Sequence, residues 1–255
     1  MNRIDYLFKE KKQNILSIYF TAGFPDLNDT TEILAILQKN NVDMVEIGMP
    51  FSDPLADGPI IQLSSSVALK NGMSLKILFS QLTNIREKVN IPLLLMGYFN
   101  PIFKYGVEKF CENCSKIGID GLIIPDMPLD EYTEKYEKIF NSYGIYNICL
   151  ITPQTSEKRI KYIDSISKGF IYAVSTYSTT GSGKNIDSSK NYFERLKNMK
   201  LKNPIMIGFG IKDKASFNLA CSYASGGIIG TAFIKALQEK GSLEDKITRF
   251  ISTCL

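Results

Sequence analysis

Histidine and tryptophan are both missing from the 255-residue chain. The first absence is the informative one. Without imidazole there is no Ser-His-Asp or Cys-His catalysis and no histidine in any metal site. Acid–base work therefore falls to carboxylates, tyrosine, lysine or cysteine. Cysteine is scarce as well. Cys111, Cys114, Cys149, Cys221 and Cys254 are five, an odd number at irregular spacing, which argues against a disulfide framework. Cys111-Glu-Asn-Cys114 has the CxxC form, but no second pair completes a metal site. Two thiols on one helical face is the simpler reading. Long apolar runs are also absent. No window reaches the ~18 residues of a membrane span, and Met1–Lys12 is too polar for a signal peptide, so a cytoplasmic place is expected. Thirty basic and 26 acidic residues leave a net charge of +4. That balance is too mild to indicate nucleic acid.

What the chain does have is alternation. Short apolar runs fall at Ile15–Phe20, Val42–Ile47, Pro92–Met96, Gly121–Ile124, Tyr146–Ile151, Phe170–Val174, Pro204–Gly208 and Gly227–Ile229, with longer amphipathic stretches between them. This is the pattern of parallel strands covered by helices. Capping residues support it. Asn28 or Asp29 precedes Thr30–Lys39, Ser156 opens a helix with Glu157 in its first turn, and Asp213 precedes Ala215–Tyr223. Asn71-Gly72 separates two helices in the second crossover, the later one expected over Leu75–Val89, so that crossover is enlarged. An additional helix is expected at the N-terminus. No linker or low-complexity block divides the chain, which reads as one domain, residues 1–255. Eight βα units and this length suggest a closed (β/α)₈ TIM barrel. An open doubly wound sheet is the competitor, though no GxGxxG follows the first strand.

In a barrel, ligand groups gather at the C-terminal strand ends. The second strand alternates Val42, Met44 and Glu46 on one expected face, which puts a carboxylate at the mouth of an apolar core. Such an acid has a raised pKa unless paired, as suits a general acid; a simple ion pair is the plainer alternative. The loop Met49–Pro59 holds three prolines and a glycine, stiff enough to fix a carboxylate. Asp53 and Asp57 are its candidates, with Asp57-Gly58 also readable as a turn. Across the barrel, glycines follow three strands in Thr180-Gly181-Ser182-Gly183, Gly208-Phe209-Gly210 and Gly230-Thr231. Glycines let backbone N–H groups approach an anion, and helix starts favour negative charge, so a phosphate site is expected there. Tight βα corners would use the same residues.

The run Glu46-Ile47-Gly48-Met49-Pro50-Phe51-Ser52-Asp53-Pro54-Leu55-Ala56-Asp57-Gly58-Pro59-Ile60-Ile61-Gln62 resembles the signature of the tryptophan synthase alpha chain family. Shorter matches extend along the chain: Phe20–Asp26, Met96–Pro101, Pro125–Pro128, Thr179–Gly181 and Ile207–Ile211. The resemblance implies retro-aldol cleavage of indole-3-glycerol phosphate to indole and glyceraldehyde 3-phosphate, without metal or organic cofactor, in an α₂β₂ complex with a beta subunit. It implies Glu46, Asp57 and Tyr172 as catalytic residues. It places Tyr19, Tyr98, Asp126 and Phe209 around the substrate, and Thr180, Gly181, Gly210, Gly230 and Thr231 at the phosphate. Thr176-Tyr177-Ser178 departs from the Arg, small residue and Gly of many bacterial members. That departure keeps open a second reading, an alpha-like chain that mainly activates a beta subunit. A ring-closing indole-glycerol-phosphate synthase would be expected to carry lysines at the strand ends, and they are lacking here.

Overall fold

In the computed structural model, which describes residues 1–175 and 189–255, all eight apolar runs form strands, the fifth run as two segments, so that nine strands result. They are β1 Ile15–Thr21, β2 Met44–Gly48, β3 Leu93–Met96, β4 Gly121–Ile123, β5 Tyr146–Asn147, β6 Cys149–Ile151, β7 Ile171–Val174, β8 Ile205–Gly208 and β9 Gly226–Ile229. Every pairing is parallel, in the order β5-β4-β3-β2-β1-β9-β8-β7-β6. The two ends of that order are one piece of chain. β5 and β6 are interrupted only at Ile148, whose N–H bonds to Leu122 O at 2.9 Å. The sheet therefore closes on itself as a barrel, and the open-sheet alternative falls.

Strand alternation divides the core in two. Ile15, Met44, Leu94, Ile123, Ile148, Phe170, Tyr172, Val174, Met206 and Ile228 fill the interior, and Ile4 joins them from the N-terminal helix α1, Arg3–Glu10. A larger apolar layer lies between the strands and the surrounding helices. Val42 belongs to that outer layer. Strand β2 begins two residues later, so Met44 and Glu46 share the inner face and Val42 does not, contrary to expectation.

The enlarged second crossover is present, with a shorter second helix than the pattern suggests. Helix Pro59–Lys70 ends at Asn71. A second helix, capped by Ser74, covers only Leu75–Gln81, and a 3-10 turn follows at Ile85–Glu87. Helix Thr30–Lys39 starts where expected, but the Asp29 side chain makes no cap bond; it accepts from Asp26 N instead. Ser156 accepts from Arg159 N. Asp213 and Ser216 form a reciprocal capping box.

The end of the barrel away from the strand C-termini is stoppered by α1. Ile4 is fully buried, and the Phe8 and Phe170 rings lie 5.9 Å apart. Asp120, 3% exposed, ties this end together. It accepts from Arg86 at 2.6 Å, Leu93 N at 2.9 Å and Arg3 at 3.1 Å. Removing one member of a buried ion pair strands the other, at a cost of about 3 kcal/mol or more. Asp120→Ala is expected to lower unfolding free energy by about 3 kcal/mol in urea titrations; a loss below about 1 kcal/mol would show that the cluster is not structurally important.

Candidate active site

Glu46 is entirely buried. It lies on β2 with Tyr19 opposite in register on β1. Oε1 accepts from Ser17 Oγ at 3.1 Å, while Oε2 is buried with no partner among the described residues. Burial pushes its pKa up to about 8, and the Ser17 bond offsets part of that rise. A carboxylate cannot be solvated in this apolar interior, so the group is neutral at pH 7.

Asp57 has a different setting. It stands half-buried at the end of the proline-rich loop. Oδ2 accepts from the Tyr98 hydroxyl at 3.1 Å, and that hydroxyl in turn accepts from Ala56 N at 2.9 Å. Phe51 stacks on Tyr98 with ring centroids 5.1 Å apart. Tyr98 thus clamps both ends of the turn that carries Asp57. Desolvation raises the Asp57 pKa to about 6, moderated by the Tyr98 bond, so at pH 7 this carboxyl is mostly ionised. Asp53, the other loop carboxylate, is exposed and turned to Ser52.

A hollow opens at the C-terminal strand ends, walled by Tyr19, Asp57, Ile61, Met96, Tyr172, Phe209, Gly210, Ile211, Ile228, Gly230 and Thr231. A second, smaller hollow shares Tyr19, Asp57 and Met96 with it and adds Phe51, Pro54 and Tyr98. Phe209 has φ 71°, a left-handed conformation costing a bulky residue on the order of 1 kcal/mol. Its ring meets Tyr172 edge-on at 6.3 Å, and its carbonyl accepts from Ser175 Oγ at 2.7 Å. Two strand-end glycines make room for the tyrosines. A Cβ on Gly48 would stand 2.3 Å from the Tyr19 hydroxyl, and one on Gly208 would stand 2.2 Å from that of Tyr172. Burial raises the pKa of both tyrosines, which stay neutral.

The fold therefore brings together Tyr19, Asp57, Tyr98, Tyr172, Phe209, Gly210, Gly230 and Thr231. Glu46 is adjacent but behind the wall: it lines neither hollow, yet its charge acts on Tyr19 and Tyr172. Asp126 is exposed, lines neither hollow, and accepts from Phe99 N at 2.9 Å, capping the helix Phe99–Tyr105. Its charge still acts on Tyr98. Thr180, Gly181 and the divergent Thr176-Tyr177-Ser178 lie outside the described residues. Ser17 and Met96 escaped sequence reasoning. A lone serine within Ile15–Phe20 was the available signal for the first; Met96 carried none. Cys111 and Cys114 are buried, with thiol pKa values raised by desolvation, as unreactive core thiols should be. Among the described residues no group of three or more Cys, Asp or Glu could hold a metal.

The family model "Tryptophan synthase alpha chain" matches residues 6–254. The tryptophan synthase alpha chain of Flavobacterium johnsoniae is 59% identical over 252 residues, covering 98% of each chain. That of Bacteroides thetaiotaomicron is 51% identical over 250 residues, again 98% of each. The crystal structure of tryptophan synthase subunit alpha from Legionella pneumophila superposes with a TM-score of 0.88 at 31% identity, covering 100% of this chain and 97% of that one. On sequence and architecture, the chain belongs to the tryptophan synthase alpha chain family.

Proposed function

We propose that Glu46 and Asp57 are the working carboxylates of this enzyme, Glu46 as general acid and then base, Asp57 as the electrostatic partner of the indole ring. The family's reaction is the retro-aldol cleavage of indole-3-glycerol phosphate to indole and glyceraldehyde 3-phosphate. The observation that carries the assignment is the separation of the two groups by environment. One is neutral at pH 7 and the other mostly ionised, the division of labour that acid catalysis requires.

Indole is a poor leaving group until C3 is protonated. Glu46 gives its proton to C3. Asp57, with one oxygen held by Tyr98, accepts the indole N–H and balances the positive charge that develops on the ring. The C3–carbinol bond then breaks, the carbinol O–H proton passes to Glu46, and the aldehyde forms. Substrate binding brings the Glu46 carboxyl from behind Tyr19 and Tyr172 to the reacting carbon. The rings of Tyr19, Tyr98, Tyr172 and Phe209 make the slot for indole. The phosphate sits at Gly210, Gly230 and Thr231 and supplies binding energy remote from the reacting bond; the family motif also assigns Thr180 and Gly181, which lie outside the described residues. Asp126 acts through the helix it caps, next to Tyr98.

The partner of the family is the tryptophan synthase beta subunit, and an α₂β₂ complex in the cytoplasm is the expected setting. Among the described residues no helix is long and apolar enough to cross a membrane. Leu55 is 83% and Leu63 48% exposed, beside a groove lined by Phe51, Pro54, Pro59, Gln62 and Leu69. An apolar surface next to the loop that carries Asp57 suits a contact that orders that loop.

Glu46→Gln should fold normally and lose indole release by ~10²-fold or more; retention of over about a tenth of wild-type turnover would refute the acid role. Linkage provides a check that does not use activity. With the folded pKa raised to about 8, wild-type stability falls as pH rises from the unfolded value toward 8 and then levels. The stability advantage of Glu46→Gln should therefore grow between pH 5 and 8 and not beyond. The kcat/KM profile should be bell-shaped, rising through about pH 6 as Asp57 ionises and falling through about pH 8 as Glu46 loses its proton. Asp57→Asn should remove the acid limb and cut kcat far more than it raises KM; a change in KM alone would make Asp57 a plain binding residue. Finally, titrating a matching beta subunit should raise indole release, and Pro54→Ala should weaken that rise. No response in either protein would exclude loop ordering by the partner.

A further inference from the structure

We propose that Ser17 is a positioning residue for Glu46: its hydroxyl anchors the carboxyl at Oε1 in the barrel interior and leaves Oε2 free of protein hydrogen bonds among the described residues. The inference rests on Glu46 being the acid. Ser17 and Glu46 are both completely buried. The Ser17 hydroxyl bonds to Glu46 Oε1 at 3.1 Å, and this is its one side-chain hydrogen bond among the described residues. A carboxylate can only accept from a hydroxyl, whereas a neutral carboxyl can accept from Ser17 or donate to it; in either case Ser17 is the group that fixes Oε1. Oε2 is buried with no hydrogen-bond partner among the described residues. An unsatisfied buried polar atom is costly, and such groups call for a functional reason. Here the reason is a carboxyl fixed at one oxygen and free at the other.

The direction of the bond matters too. In the β1–β2 register Glu46 faces Tyr19, whereas Ser17 faces Met44. Ser17 is thus one side-chain layer further from the C-terminal strand ends. The carboxyl leans away from the mouth, which explains why Glu46 lines neither hollow. Ser17 defines this resting place, and with half of the carboxyl unsatisfied the place is only weakly held. The titratable groups that face Glu46 from the packed elements are Tyr19 on β1 and Tyr172 on β7, with Asp57 acting on the same two rings. Both tyrosines stay neutral, so they leave the charge of Glu46 to burial and to Ser17.

The test is a titration. Carbon-13 labelling of glutamate side-chain carboxyls, with Glu46→Gln identifying the Glu46 signal, would follow the group from pH 5 to 10 in the wild type and in Ser17→Ala. The kcat/KM profile of each protein would be measured alongside. Losing a hydrogen bond to the charged form should move both the Glu46 signal and the descending limb up by about one pH unit. At pH 7 kcat should change by less than about tenfold, because Ser17 does not touch the substrate. If neither the signal nor the limb moves in Ser17→Ala, the inference fails. A folded Ser17→Ala protein that loses ~10²-fold in kcat would make Ser17 a participant in the chemistry, and would overturn the positioning role equally. If instead the descending limb survives in Glu46→Gln, Glu46 is not the acid and the functional assignment falls. If it disappears there but stays in place in Ser17→Ala, only the role of Ser17 falls.

Discussion

A carboxyl group shut inside an apolar barrel with a single hydrogen bond is the constraint around which the site is arranged. Glu46 is held neutral at neutral pH because it is completely buried and, among the described residues, only Oε1 has a hydrogen-bond partner. The barrel makes this possible. Closure through β5 and β6 removes every sheet edge, and α1 stoppers the far end with Ile4. An open sheet would leave the same strand residue more accessible to solvent, with its pKa nearer the ordinary value. The raised pKa of Glu46 is thus a property of closure, not of the glutamate alone.

The second carboxyl of the proposed pair is held differently. Asp57 sits on a loop, and a loop at the mouth is wetter than the interior. Prolines limit its freedom, but Tyr98 decides where the carboxylate lies, by binding the Ala56 N–H and Asp57 Oδ2 through one hydroxyl. The tyrosines at the mouth in turn depend on residues with no side chain. Gly48 and Gly208 end their strands where any Cβ would collide with Tyr19 or Tyr172. Glycine here is needed for close approach, a reason distinct from the phosphate chemistry that the neighbouring Gly210 suggests.

The eight strands were legible because β-branched, apolar runs at crossover spacing admit few other architectures, and each run is found as a strand. The family motif carried Glu46, Asp57 and their neighbours together. Legibility failed where local pattern and packing diverge. Val42 fits the alternation but precedes the strand and packs against helices. The stretch Leu75–Val89 has helical character throughout, yet the helix stops at Gln81 and resumes only as a 3-10 turn. Asp126 belongs to a family motif beside the pocket, yet its carboxylate is engaged by a helix terminus.

By itself the sequence determined the order of strands and helices and that, without histidine, acid–base work falls to other groups such as carboxylates; the family motif then singled out Glu46 and Asp57. The first two follow from periodicity and residue chemistry, which are local, whereas closure of the sheet into a barrel was settled by the pairing of strands. Tertiary structure alone decided which of the two carboxyls is neutral, which atoms hold them, and that Glu46 rests behind the cavity wall. Those outcomes depend on desolvation and on contacts between strands far apart in the chain, Ser17 with Glu46 and Tyr98 with Asp57. No local pattern encodes the distance between such residues, because it is set only when the barrel closes.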